Sequence, residues 1–430
     1  MKIVLIGAGS RSFGLGQIAD LLQARELWGR GGRLVLVDES PAALDLAAAL
    51  AERIKAHIGA DFAIEAATDR AQALPGAAYV ITAVARHRME LWEQDFRVPL
   101  AYGFRHCLGE NGGPGAVFHT MRSLDLVMPI CRDVERLCPK ALLLNFTNPE
   151  ARVLYTILHQ TRVRAAGICH GVFGALDWIA AALGRPAEHF DIVSAGMNHF
   201  YAILRVVEHG TGKDRLPELI ERAAHDTSRR SPPLFRKMAE VFGVLTFPSD
   251  DHIGEYVAWG AEYSGVKWHY GQECRHVPPH DDLPRRDLED YAAGRRPVDE
   301  ALLRPSGEVT VPIIADIELD RGSVRPAVNV LNTEGYIENL PREAAVEVPA
   351  RVDARGIHPI RVGPVPEAFA AMMRTQFTIH AILAEAWRTR SRRLLLQALL
   401  LDPCVTGIAA AERMLDDMLS LQAEYLPKFE

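Results

Sequence analysis

The chain has 430 residues, of which 48% are hydrophobic and 24% charged, and a formal net charge of -7. That composition supplies ample apolar material for large cores and, at about 100–200 residues per domain, predicts two domains. The acidic balance excludes nucleic acid and anionic membranes as electrostatic partners, and the apolar runs are too short and interrupted for a transmembrane helix.

The first residues are apolar but run straight into a glycine turn, too soon for a signal peptide, so the expected location is cytoplasmic. Six cysteines (Cys107, Cys131, Cys138, Cys169, Cys274 and Cys404) lack the paired spacing of a disulfide framework or zinc ribbon. In a reducing compartment most are expected free and buried.

Residues 2–6 form an apolar run stopped by Gly7-Ala8-Gly9, which predicts a strand, a turn and then a helix over 15–24. A second strand is predicted over 33–37, ended by Asp38. Ser40-Pro41 follow as N-cap and first helical residue of an alanine-rich helix. Further strands are predicted over 78–83, 141–146 and 165–168, with helical spacing over 117–137. Short continuous apolar runs alternating with helices predict an α/β fold, a Rossmann-like doubly wound parallel sheet over 1–195. Beyond about Asn198 the pattern changes, and a mixed α+β domain is predicted over 196–430. It opens with a charged helical stretch, 216–230. The aperiodic segment 271–304 predicts a loop. Long helices follow from Pro366, with a break at Asp402-Pro403.

Gly7, Gly9, Ser10, Phe13 and Gly14 lie at the first strand-to-helix junction. Gly7 permits a tight turn, Gly9 allows the backbone to approach a pyrophosphate, and the helix N-terminus stabilises its charge. Ser12 replaces the third glycine of the usual fingerprint. Asp38, 24 residues after Gly14, ends the second strand. It is placed to accept hydrogen bonds from an adenosine ribose, which favours NAD over its 2′-phosphorylated form.

Four segments stand at or beyond the C-terminal ends of predicted strands, the edge where open α/β sheets bind ligands. They contain Glu110-Asn111-Gly112, Asn145-Phe146-Thr147-Asn148-Pro149, Cys169-His170-Gly171 and Asn198-His199. Cys169 and His199 offer a thiolate and an imidazole, suited to a divalent transition metal. Asn148 is a candidate for substrate hydroxyls or for a place close to the metal. Singly, each has a plainer reading: a core cysteine, an Asn-Pro turn, a structural histidine.

Together these residues resemble glycoside hydrolase family 4, whose fold is related to lactate and malate dehydrogenases. The resemblance runs from the Gly-Ala-Gly-Ser turn through 145–149, Cys169-His170 and Asn198-His199. It continues through Asp251-His252-Ile253-Gly254-Glu255-Tyr256, the segments 332–341 and 346–349, and Tyr425-Leu426-Pro427. It implies NAD and a divalent metal, usually manganese, held by Cys169 and His199, with Asn148 on the substrate. Cys-His at 169–170 is nearest the α-galactosidase, α-glucosidase and α-glucuronidase members. The acidic Glu110, with Asn111, stands where members acting on phosphorylated sugars carry a Gln/Thr-containing segment, and its charge disfavours a phosphate. The expected substrate is therefore a non-phosphorylated α-linked hexoside or hexuronoside.

The implied reaction departs from the usual carboxylate pair. It runs by C3 oxidation, C2 deprotonation, elimination at C1, water addition and re-reduction. Candidate bases for C2 are Tyr256, Asp251 and Asp250, since a nearby cation favours their ionised forms. His170 is the candidate acid, or else a histidine that orients the metal ligands. Arg122, Glu255 and His252 are further site candidates. The alternative activity is a sugar dehydrogenase that releases NADH. The expected assembly is a homodimer or homotetramer.

Overall fold

The computed structural model describes residues 1–10, 13–266, 268 and 283–430. Ser12 and Cys274, both noted in the sequence, lie outside the described residues.

β1 (Lys2–Ile6) is a parallel strand between β2 (Gly32–Val37) and β4 (Tyr79–Thr82). Its alternation decides the layering. Ile3 and Leu5 face a core shared with helices Gly14–Gln23, Pro41–Ile58 and Thr310–Glu318. Val4 and Ile6 face a second core built from helix Gly115–Leu137 and the C-terminal helices. Both faces of this parallel part of the sheet are therefore covered, as parallel strands require. Helix Pro41–Ile58 starts where the sequence places it, with the Ser40 hydroxyl accepting from the Ala43 N–H at 3.3 Å, and it ends at the left-handed Gly59.

β3 (Phe62–Ala67) pairs parallel with β2, β5 (Leu142–Asn145) with β4, and β6 (Arg164–Gly167) with β5. The order 3-2-1-4-5-6 is that of a dinucleotide-binding domain. β3 was not foreseen, because only Phe62 of its six residues is buried and the apolar signal is correspondingly weak.

The sheet does not stop at β6. β7 (Phe190–Met197), β8 (Phe200–Glu208), β9 (Ser323–Leu331), β10 (Ala345–Asp353) and β11 (Gly356–Pro359) continue it by antiparallel pairing in the order β6-β9-β10-β7-β8, with β11 on β10. The expected division after residue 195 falls inside β7. A third core packs this half against helices Gly171–Leu183, Pro233–Phe242 and Glu367–Thr389.

Two expectations are corrected here. The helix predicted over 216–230 ends at His225, because Asp226 folds back to accept from the Ser228 N–H at 2.8 Å and the Ser231 hydroxyl at 2.5 Å. The segment 271–304 is not wholly loop: its first twelve residues lie outside the described residues, but Arg285–Ala292 is a helix with Leu288 and Tyr291 buried. The break at Asp402 is present, between helices Arg392–Leu401 and Ile408–Leu421. Among the described residues, no helix is long and apolar enough to cross a membrane.

One buried polar contact ties the last helices to the sheet's back layer. Arg122 donates to both carboxylate oxygens of Asp95, at 3.0 and 2.5 Å, and to the Gln422 side-chain oxygen at 2.5 Å. Gln422 returns a hydrogen bond to Asp95 at 3.1 Å. Arg122, one of the further site candidates, is thus committed to structure. Breaking a buried pair leaves an uncompensated charge, so Asp95→Ala and Arg122→Ala are each expected to cost about 3–5 kcal/mol. Denaturant unfolding of both single variants and the double variant checks this. The double variant should lose much less than the sum, and additive losses would refute the coupling.

Candidate active site

The glycine turn is built for close approach. Gly7 has φ +90°, and a Cβ there would stand 2.2 Å from the Ala83 carbonyl oxygen. A Cβ on Gly9 would meet Ala43 Cβ at 2.6 Å and Asp38 Oδ2 at 2.8 Å. A Cβ on Gly14 would stand 2.2 Å from the Ala8 carbonyl oxygen, so Gly14 performs the close helix–strand packing that the fingerprint assigns to its third glycine. Asp38 accepts from the Gly9 N–H and the Ser40 N–H, each at 2.9 Å. Each of its oxygens keeps a second lone pair for a ribose hydroxyl. The Ser10 hydroxyl accepts from the Phe13 N–H at 3.3 Å, and the Phe13 ring lies 6.3 Å from that of Phe146. The turn therefore abuts the 145–149 segment.

That segment is held from several sides. The Thr82 hydroxyl donates to Asn145 Oδ1 at 3.1 Å, and the Thr147 hydroxyl accepts from the Val84 N–H at 3.2 Å. The Asn148 carbonyl accepts from the Ser123 hydroxyl at 2.5 Å, and the 148–149 peptide is cis. These contacts fix Asn148, whose side-chain amide donates to Glu110 Oε1 at 3.3 Å.

Cys169 lies two residues past the β6 register residue Gly167, and His199 lies in the two-residue turn between β7 and β8. The same point beside Gly171 lies 3.6 Å from Cys169 Sγ and 3.7 Å from His199 Cδ2, so thiol and imidazole flank one space. His199 has φ 62°, a left-handed backbone that costs a non-glycine residue about 1–2 kcal/mol. Such strain is typically held at functional sites. The Asn111 amide faces His199 Nδ1 at 3.5 Å, leaving Nε2, next to Cδ2, toward Cys169. Burial, with Glu347 and Glu308, pushes the Cys169 thiol well above its usual range. Burial, with His252, holds His199 down at about 3, so its imidazole is neutral and able to ligate. Among the described residues, no group of three or more His, Cys, Asp or Glu side chains is placed to hold a metal. A soft sulfur and a neutral imidazole on one space fit a divalent ion with coordination positions left for substrate oxygens.

Around this pair the structure gathers most of the sequence candidates. Glu110 accepts from Arg88 at 3.1 Å and from Asn111 at 3.3 Å. Burial works against its charge, but Arg88, His119, His252 and His199 override it and hold the carboxyl at about 2. Glu255 accepts the N–H groups of Glu110 and Asn111 at 2.6 and 2.9 Å, and burial and Glu110 push its carboxyl up to about 8. His252 stands edge-on to His199 with ring centroids 4.7 Å apart. Burial opposes its charge, yet the hydrogen bond and charge of Asp251 raise it to about 9. Asp251 accepts from His252 Nδ1 at 3.1 Å and from the Ser249 hydroxyl at 2.5 Å.

The three candidate bases differ in placement. Asp250 accepts the Phe235 N–H at 3.0 Å, at the start of helix Pro233–Phe242, and so serves as a helix cap. Asp251 is engaged with His252. The buried Tyr256 hydroxyl donates to the Asn198 carbonyl at 3.4 Å, on the turn that carries His199. His170 is exposed, and its Nδ1 lies 2.7 Å from Glu308.

A cleft of about 500 Å³ opens beside Glu110, lined also by Arg86, Arg88, His119, Ser123 and Tyr425. Arg88, His119 and Glu308 were missed by the sequence reading. Arg88 follows the C-terminal end of β4, where the sheet-edge rule points; no motif marks His119 or Glu308.

The family model described as family 4 glycosyl hydrolase matches residues 2–185, and that of the family's C-terminal domain matches 194–405. The chain is 31% identical to an alpha-glucosidase of Erwinia rhapontici, covering 99% of this chain and 98% of that protein. It is 30% identical to an alpha-galactosidase of Bacillus subtilis (strain 168), with full coverage of both. A 6-phospho-alpha-glucosidase from gut microorganisms, solved in complex with NAD and Mn2+, has the same fold. Its TM-score is 0.82 at 19% identity, and the match covers 100% of this chain and 99% of that one. The two family matches together span nearly the whole chain, which belongs to family 4 of the glycosyl hydrolases.

Proposed function

We propose that this glycoside hydrolase cleaves a non-phosphorylated α-linked hexoside using NAD and a divalent metal. The observation that carries the proposal is Cys169 and His199 flanking one space, linked through Asn111 and Glu110 to a cleft whose guanidinium groups are already matched by carboxylates. Arg86 pairs with both oxygens of Glu39 at 3.1 and 2.9 Å, Arg88 with Glu110, and Arg122 with Asp95. A phosphate or uronate would need a cation that is not spent on an existing partner. Glu110 is itself balanced by Arg88, so discrimination against phosphate rests on the neutrality of the cleft more than on one repelling carboxylate. This favours a neutral hexoside over a hexuronoside.

Bound at their sites, NAD supplies reversible removal of hydride from sugar C3 and the metal supplies polarisation of the C2 and C3 oxygens, making the C2 proton removable. Tyr256 is the base best supported by placement, because its hydroxyl reaches the His199 turn while Asp250 caps a helix and Asp251 is paired with His252. His170 protonates the departing oxygen. Asn148 and Asn111 bind sugar hydroxyls beside Glu110. A dehydrogenase reading would require net NADH release, and the relatives' names favour hydrolysis.

A panel of 4-nitrophenyl α-glucoside, α-galactoside, α-glucuronide and 6-phospho-α-glucoside, assayed with NAD, Mn2+ and a thiol reductant, tests the substrate class. A neutral hexoside should give the highest kcat/KM; a charged substrate in first place overturns the proposal, and stoichiometric NADH would favour the dehydrogenase. NAD should bind at least about tenfold more tightly than NADP, a difference of 1.4 kcal/mol, because Asp38 repels a 2′-phosphate. Equal affinities in a fluorescence titration would remove Asp38 from that role.

Deprotonation at C2 predicts deuterium at C2 of sugar released in deuterated water. Tyr256→Phe should lower turnover by about 10²–10⁴-fold, the usual range for lost acid–base assistance. Cys169→Ser should abolish metal-dependent turnover while leaving NAD affinity in place. Unlabelled product, or a Cys169→Ser enzyme fully active in chelator, defeats the corresponding assignment.

A further inference from the structure

Glu308 is buried, yet its Oε1 lies 2.7 Å from Nδ1 of the exposed His170. Its other oxygen is buried without a partner. As a stabilising device this is poor: a buried carboxylate oxygen left unmatched costs free energy, and an ion pair with an exposed histidine returns little. The arrangement makes sense as orientation.

The backbone that carries this carboxylate is held from outside the site. The Glu308 N–H donates to the Ser306 hydroxyl at 3.1 Å. The Ser306 N–H donates to Asp20 at 3.1 Å, and its hydroxyl donates to the same carboxylate. Asp20 belongs to helix Gly14–Gln23, which starts at the glycine turn. Segment 306–308 is thus fastened to the nucleotide-side helix, and Glu308 reaches from there to the ring beside Cys169.

We infer that Glu308 is a positioning residue that aims His170 at the departing aglycone oxygen, an inference that rests on the glycosidase reading above. With Nδ1–H donated to Glu308, the ring presents Nε2–H toward the substrate. The Nε2 proton passes to the aglycone oxygen as C1–O breaks, and the bonding electron pair leaves with that oxygen. The ring ends neutral, its remaining proton on Nδ1 facing Glu308. Water adding to C1 afterwards gives its proton back to Nε2. A carboxylate that fixes a histidine tautomer in this way is a recurring device of acid–base catalysis.

Acid assistance matters most for a poor leaving group, which supplies the test. The methyl and 2,4-dinitrophenyl α-glycosides of the sugar the enzyme cleaves are compared in the wild type, His170→Ala and Glu308→Gln. The ratio of the two kcat/KM values within each variant is independent of the fraction of folded enzyme. Glu308→Gln should lower methyl glycoside turnover by about 10²-fold, with the dinitrophenyl compound spared and NAD affinity unchanged. A steep ratio in His170→Ala with a wild-type ratio in Glu308→Gln overturns the role of Glu308 and leaves His170 as the acid. A wild-type ratio in both variants overturns His170 as the acid, and the Glu308 assignment with it. Failure of every variant and the wild type on all α-glycosides refutes instead the glycosidase reading on which the inference rests.

Discussion

The site depends on one strand pairing. Gly167 at the end of β6 lies opposite Asn329 of β9, and this antiparallel contact turns a parallel nucleotide-type sheet into one continuous with the C-terminal strands. Asn329 is opposite Glu347 of β10, and Glu347 is opposite Gly196 of β7. Through that row, Cys169, just beyond β6, and His199, just beyond β7, arrive at the same edge. Gly167 is constrained by this crossing: a Cβ would stand 1.5 Å from Glu150 Oε1 and 3.0 Å from Asn329 Cβ.

The row is also polar and buried. Glu150 and Glu347 are buried, and burial, with Glu347 beside Glu150, pushes the Glu150 carboxyl well up; burial alone drives Glu347 to about 7. Asn198 and Asn329 donate to Glu347 at 3.5 and 3.4 Å. Polar groups of this kind, under the Cys–His edge, couple the turn that carries His199 to the sheet.

Electrostatic matching is the second theme. Glu110 is kept ionised by Arg88 although buried, and Glu255 is used for its acceptor oxygen, receiving two backbone N–H groups. Those two hydrogen bonds join the 251–256 segment to residues 110–111 across some 145 positions of chain. Segments with no sequence proximity thus meet at Glu110, and charges there are matched in pairs, as Arg88 is with Glu110.

The sequence by itself determined the nucleotide half. Local apolar runs located β1, β2, β4, β5 and β6, and the Gly7–Gly9 turn and Asp38 stood at the ends of strands, because a buried parallel strand writes its burial into consecutive residues. Asn148 and Cys169 stood out as candidates for the same reason, since they follow β5 and β6 at the ligand-binding edge, whereas Glu110 follows a helix and His199 lies in the turn of an antiparallel pair. Only the tertiary structure decided the rest. β3 was hidden by its exposure, and Gly14's packing role required the distance to Ala8. Asp250 became a helix cap and Arg122 a partner of Asp95, both through residues remote in sequence. Glu308 reaches His170 across 138 positions, and no local pattern encodes a contact of that range, because it is set by where the Ser306–Asp20 contact fastens the backbone to helix Gly14–Gln23.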